Sequence, residues 1–123
     1  MKEQWNATGL NQHLGIRLLE VLPDRVVGEL EVGEHLMTTT GAVHGGTLMA
    51  FADTVGAAGT AMAGFKTATL ESKTNFFAAA TGGTLRAEST ALHRGKRSHV
   101  WQTRVTDANG RLLSLTIQTQ MIL

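Results

Sequence analysis

Between residues 45 and 65 the chain carries a single charged side chain, Asp53, and is otherwise built from Leu, Met, Phe, Val, Thr, Ala and Gly. A segment of that length is long enough to cross a bilayer as a helix. Glycines at 56, 59 and 64, many other small residues and a carboxylate near the middle argue against that reading, since an ionised group is costly in hydrocarbon. What remains is a helix of a water-soluble fold, buried on nearly every side, with about five turns spanning roughly 30 Å. Its small residues leave room for other backbone to pack close. With 123 residues and no visible repeat or linker, residues 1–123 form a single domain around this helix. The first 14 residues, polar with scattered apolar positions such as Trp5 and Leu10, read as a short helix or an extended arm.

The rest of the chain reads as strands. Ile16, Leu18, Leu19, Val21 and Leu22 lead to Pro23-Asp24, a turn signal. Beyond it Val26, Gly28, Leu30 and Val32 alternate with Val27, Glu29 and Glu31, so the pair forms a β-hairpin. Residues 37–43, rich in Thr and Gly, read as a loop. Residues 67–77 read as a strand, followed by a turn at Thr81-Gly82-Gly83 and a strand in which Leu85, Ala87, Ser89 and Ala91 share a face. After Arg94-Gly95-Lys96, Trp101, Thr103 and Val105 alternate with Val100, Gln102 and Arg104. Asp107-Ala108-Asn109-Gly110 is a hairpin turn, because Asn-Gly accepts positive φ. In the last strand Leu113, Leu115, Ile117, Thr119 and Met121 share one face, and Ser114, Thr116, Gln118 and Gln120 the other. Two strands, a helix and four strands in meander predict an α+β fold, a single antiparallel sheet of about six strands wrapped around one long central helix. The outer sheet face must be covered or polar, and its Thr, Gln and Arg content leaves room for a second subunit.

Composition narrows the chemistry. A net charge of +1 points neither to nucleic acid nor to an anionic membrane. The absence of cysteine removes disulfides, thiolate nucleophiles and cysteine-based zinc sites, and the absence of tyrosine removes a phenolic acid. The first ten residues lack the apolar core of a secretory signal, so a cytoplasmic location is expected. His13, His35, His93 and His99 show no metal-ligand spacing, and no phosphate loop or nucleophile elbow occurs.

Three features remain. Asp53, a carboxylate in an apolar helix, needs hydrogen bonds or an opposite charge. It reads either as a base or nucleophile or as a structural carboxylate bonding backbone or a neighbouring subunit. Gly41-Ala42-Val43-His44-Gly45-Gly46 stands where loop becomes helix. Glycines there admit close approach of a ligand, and the unpaired N–H groups of a helix start could stabilise a carbonyl oxygen gaining negative charge. It reads equally as an eased helix start with a structural His44. Arg94, Lys96 and Arg97 surround a hairpin tip and could hold phosphates, or could simply be solvated. Asp53 lies about two and a half turns beyond His44, so it shares a reacting atom with Gly45 only if the substrate bridges them or a second subunit supplies one of the two.

Gly41-x-x-His44-Gly45-Gly46 followed by an apolar helix carrying Asp53 resembles the hotdog-fold acyl-CoA thioesterases, especially the phenylacetate-degradation and 4-hydroxybenzoyl-CoA types. Leu70-Glu-Ser72-Lys-Thr-Asn75-Phe76-Phe77 is similar to the family's next strand, and His93-Arg-Gly-Lys-Arg97 to its basic turn. The similarity covers residues 14–123. It implies that the chain hydrolyses an acyl- or aryl-CoA to the free acid and CoA, without metal or other cofactor. It implies a homodimer joined edge to edge, often pairing into a homotetramer, with His44 and Gly45 of one subunit facing Asp53 of the other. Gly45 N–H would polarise the thioester carbonyl, His44 would position the thioester or leaving thiolate, and Asp53 would attack or activate water. Gly46, Ser72 and Phe76 would belong to the substrate site, its acyl pocket lined from the helix and the neighbouring subunit by residues such as Met49, Phe51, Phe76 and Phe77. Arg94, Lys96 and Arg97 would meet the phosphates of CoA. Two positions depart from the family: Thr38 stands where it usually has Asn or Gln, and Ala57 where it has Ser or Thr. The fold also hosts dehydratases and non-catalytic sensors. An acyl-CoA-binding module without turnover, a dehydratase of hydroxyacyl thioesters (which the His-Gly-Gly placement fits less well than hydrolysis) and a purely structural oligomerisation domain therefore stand as the other readings.

Overall fold

The computed structural model describes residues 4–123. A short helix, α1 (Gly9–Leu14), stops at Gly15, whose φ of 72° is open to glycine and closes the last turn. The N-terminal segment is thus helical over these residues; residues 1–3 lie outside the described ones. β1 (Arg17–Leu22) and β2 (Arg25–Glu31) form the hairpin expected around Pro23-Asp24. After a 3-10 turn at Glu34–Leu36 come α2 (Gly45–Ala61), β3 (Thr67–Phe76), β4 (Thr84–Arg94), β5 (Ser98–Thr106) and β6 (Leu112–Ile122). The 17 residues of α2 span about 26 Å. The helix ends before Phe65 because the chain turns through Gly64, whose φ is 98°.

The strands form one antiparallel sheet in the order β1-β2-β4-β5-β6-β3, and α2 packs against all six. The expected meander of four strands is therefore corrected: only β4, β5 and β6 follow one another. β3 lies at the far edge beside β6, and the chain returns to place β4 next to β2. No local signal in β3 distinguishes β6 from β4 as its partner.

A second correction concerns β6. Val105 faces Ser114 and Thr106 faces Leu112, so Leu113 is an extra residue in the ladder. Such a bulge shifts the alternation by one and swaps the faces beyond it. Leu113 and Ser114 both face the helix, and Thr116, Gln118 and Gln120 follow them into the buried layer. Ile117 and Met121 are left on the outer face. The polar side of β6 thus packs inward, against a helix surface that offers polar groups and empty volume.

That volume comes from two glycines. A Cβ on Gly59 would stand 2.3 Å from the Trp101 ring, and one on Gly56 would stand 2.3 Å from Gln118 Oε1. The small residues of α2 admit an indole and an amide, not the backbone expected from sequence. Around them Ile16, Val26, Leu30, Phe51, Val55, Leu85, Val105 and Leu113 form the apolar core. Phe51 is fully buried there, which removes it from the residues expected to line a substrate pocket.

Candidate active site

The start of α2 is held by its own loop. His44 N–H donates to Leu36 O at 2.9 Å, Val43 N–H to Ala80 O at 2.8 Å, and Thr47 Oγ1 to Leu36 O at 3.0 Å. His44 caps the helix: its Nδ1 accepts from Gly46 N–H at 2.8 Å. With Nδ1 accepting, the proton of the neutral ring sits on Nε2, which is left to donate. The cap uses the Gly46 amide. Among the described residues nothing accepts from Gly45 N–H, one of the donors a helix start leaves unpaired. The Phe76 ring reaches over from β3 to 3.4 Å from where a Gly45 Cβ would stand, so a side chain at this position would press on that ring.

Thr38 is committed elsewhere. Its Oγ1 accepts from Thr40 N–H at 3.3 Å and Ala42 N–H at 3.2 Å, and pairs with Thr40 Oγ1 at 2.9 Å. The hydroxyl braces the loop that turns through Gly41.

Asp53 is half-buried on α2. Its Oδ1 accepts from Thr69 Oγ1 at 2.7 Å and from Gln118 Nε2 at 3.0 Å; the same amide also reaches Asp53 O at 3.2 Å. Behind it, Gln120 Nε2 donates to Thr69 Oγ1 at 2.6 Å. Among the described residues no donor reaches Oδ2. The carboxylate borders a cavity of about 280 Å³, lined by Met49, Ala50, Asp53, Thr69 and Ser72. Thr69 and Ser72 both line it because β3 carries its own bulge: Leu70 is skipped between Thr69 and Glu71 in the pairing with β6. In a regular strand, residues three apart point to opposite faces. Ser72 Oγ, at the cavity, has no hydrogen-bond partner among the described residues.

The structure thus gathers Asp53 and Ser72 at one cavity, and His44, Gly45, Gly46 and Phe76 at the helix start. Eight residues at 1.5 Å rise separate Gly45 from Asp53 by about 12 Å, too far for one chain's pair to act on one carbonyl. Arg94, Lys96 and Arg97 are exposed around the β4–β5 turn and form no ion pair among the described residues. Beside them His99 is buried, and burial first, then Arg94 and His93, push its imidazole below the ordinary value. Thr69, Gln118 and Gln120 escaped sequence reasoning, because polar residues in alternation read as a solvent face. The signal available was Gly56, a gap on the helix that some large side chain had to fill. No helix among the described residues is long and apolar enough to cross a membrane.

An antiparallel sheet wrapped around one central helix, with a glycine-eased helix start and a carboxylate farther along it, defines the hotdog class. The thioesterase superfamily profile matches residues 40–114, and the chain belongs to that superfamily of thioester hydrolases. It is 31% identical to the 1,4-dihydroxy-2-naphthoyl-CoA hydrolase of Listeria monocytogenes, over 88% of this chain and 90% of that protein. The crystal structure of S. sahachiroi AziG is 30% identical with a TM-score of 0.90, covering 94% of this chain and 97% of that one. A thioesterase from Haemophilus influenzae is similar in fold, with a TM-score of 0.93 at 22% identity over 100% of this chain and 90% of that one.

Proposed function

We propose that the protein hydrolyses an aryl- or medium-chain acyl-CoA to the free acid and CoA, at a site completed by two subunits. The observation that carries this is the separation of Asp53 from Gly45. Asp53 lines the cavity, no donor among the described residues reaches its Oδ2, nothing among them accepts from Gly45 N–H, and about 12 Å of helix keeps the two apart in one chain. Edge strand β3, with Leu70 and Phe76 exposed, would join a second copy and bring that copy's helix start over the first copy's cavity. Such a dimer pairs into the homotetramer the family resemblance implies.

In this reading the thioester carbonyl oxygen accepts from Gly45 N–H, which stabilises the negative charge that develops on it. Asp53 Oδ2 takes a proton from water as the water oxygen bonds to the carbonyl carbon. Alternatively Oδ2 bonds to that carbon itself, and water cleaves the resulting anhydride. Collapse breaks the C–S bond and expels the CoA thiolate, to which His44 Nε2–H can donate. Arg94, Lys96 and Arg97 would hold the phosphates of CoA. The aryl reading is supported by the Listeria relative, whose name specifies a dihydroxynaphthoyl group, and by the apolar lining from Met49 and Ala50.

The test is thiol release, followed with a thiol-reactive dye, on benzoyl-, phenylacetyl- and octanoyl-CoA. Asp53→Asn should lower kcat at least about a hundredfold, within the range for loss of a general base. Near-wild-type turnover in that variant removes Asp53 from the mechanism. The commitment of the Thr38 hydroxyl to its own loop favours one other reading, a CoA-ester-binding module without turnover. Tight binding of these esters with no thiol release from the wild type would establish it.

A further inference from the structure

We infer that Thr69, Gln118 and Gln120 are positioning residues that fix Asp53 through Oδ1 and make Oδ2 its reacting oxygen. The inference rests on the reading of Asp53 as base or nucleophile and adds which oxygen acts and what aims it. The direction of each hydrogen bond follows from chemistry. Gln120 Nε2 can only donate, so at 2.6 Å it occupies a lone pair of Thr69 Oγ1. Asp53 Oδ1, at 2.7 Å, then receives the Thr69 hydroxyl proton. Gln118 has one workable orientation. Both atoms within its reach, Asp53 O and Oδ1, are acceptors, so its NH₂ must face them and its carbonyl must face away.

That orientation carries a penalty. Gln118 Oε1 is buried without a partner among the described residues, in the space Gly56 leaves by lacking a Cβ. A buried unpaired carbonyl is destabilising, and an apolar side chain filling the same gap would avoid it. The gain is on the other side of the amide, where a second donor reaches the carboxylate. Thr69 comes from β3 and Gln118 from β6, so two neighbouring strands hold Oδ1 from different directions and fix the carboxylate plane. The two donors occupy both lone pairs of Oδ1, so that oxygen has no site left for a further proton or for attack. A proton taken from water therefore arrives on Oδ2, and an attacking lone pair leaves from Oδ2. Two bulges make this possible: Leu70 aligns Thr69 with the cavity, and Leu113 turns Gln118 and Gln120 inward.

The experiment measures kcat and KM separately on benzoyl-CoA for Thr69→Val, Thr69→Ser, Gln118→Leu and Asp53→Asn, and for Thr69→Val combined with Asp53→Asn. Misaiming a reacting group by about 1 Å can cost roughly a hundredfold in rate. Thr69→Val and Gln118→Leu should each lower kcat by about ten- to a hundredfold with little change in KM, and Thr69→Ser should recover most of the loss. In the Asp53→Asn background, Thr69→Val should have no further effect, because nothing remains to aim. The inference alone is overturned if Asp53→Asn is inactive while Thr69→Val and Gln118→Leu keep wild-type kcat. It is equally overturned if Thr69→Val lowers the residual rate of Asp53→Asn by the same factor as in wild type, which marks a structural role. Wild-type turnover by Asp53→Asn instead overturns the reading beneath it. Should Thr69→Val fail to fold, the same comparisons are read from Gln118→Leu alone and in the Asp53→Asn background.

Discussion

Thr60 is one hydroxyl shared by two buried rings. Trp101 Nε1 donates to its Oγ1 at 2.9 Å, and the same oxygen lies 2.9 Å from His99 Nδ1. An indole N–H only donates, so Thr60 Oγ1 accepts from Trp101, and the same hydroxyl, able both to donate and to accept, also pairs with the His99 ring nitrogen. Thr60→Val preserves the shape of the side chain and deletes the oxygen. No cavity forms, but an indole N–H and an imidazole nitrogen are left buried and unpaired. At about 1–3 kcal/mol for each such group, the loss is about 2–6 kcal/mol. With a urea slope of about 1–3 kcal/mol per molar, the unfolding midpoint falls by about 0.7 M or more while the slope stays constant. The assay is urea unfolding followed by tryptophan fluorescence and far-ultraviolet circular dichroism, at one fixed protein concentration because assembly is linked to folding. Thr60→Ser keeps the oxygen and should retain most of the stability. A midpoint shift below about 0.3 M for valine, or serine losing as much as valine, would refute the argument that this hydroxyl satisfies two buried partners.

Two further expectations follow from the same region. Because burial holds His99 below its ordinary value, the unfolded chain binds a proton near pH 6.5 that the native chain refuses. The stabilisation from the neutral ring is present above about pH 6.5 and is lost as pH falls toward the lower folded value. Urea midpoints measured between pH 8 and pH 5 should decline less in His99→Gln, and an equal decline in the variant would show that another group titrates. At the neighbouring turn, replacing Arg94, Lys96 and Arg97 together with Ala should raise KM for benzoyl-CoA about tenfold or more, through loss of charge-assisted contacts. It should leave turnover of benzoyl-pantetheine, which lacks the nucleotide, unaffected; equal impairment of both substrates would remove the turn from phosphate binding.

The sequence made the local elements plain because their signals are local. Pro23-Asp24 and Asn109-Gly110 mark turns by backbone preference, and the single charge over residues 45–65 marks the central helix. The His44-Gly45-Gly46 helix start and the unusual carboxylate at Asp53 were visible for the same reason. What stayed hidden depends on register. Leu113 in β6 looks like one more member of an apolar face, yet as the extra residue of a bulge it reverses the face on which Gln118 and Gln120 lie. Leu70 does the same for Ser72 in β3. A bulge leaves no composition signal, so alternation read through it assigns every later side chain to the wrong side. The place of β3 beside β6 was hidden for a related reason, since strand order is set by packing over the whole sheet.

The pairing of β3 with β6 also governs when the molecule can become competent during synthesis. Thr67 pairs with Ile122, so the ribosome must add 55 residues after Thr67 before that edge can close. At about 5–20 residues per second, the nascent chain waits several seconds with β3 lacking its strand neighbour. At the start of that interval α2, complete and largely apolar, has α1 and the β1–β2 hairpin to shelter against, and the strands that follow arrive one at a time. Asp53 lacks both of its donors' strands in register until β6 emerges. A translation pause within β6 would expose the sticky helix without producing a working site, whereas rapid delivery of those final strands would close the sheet and set the acid in a single event.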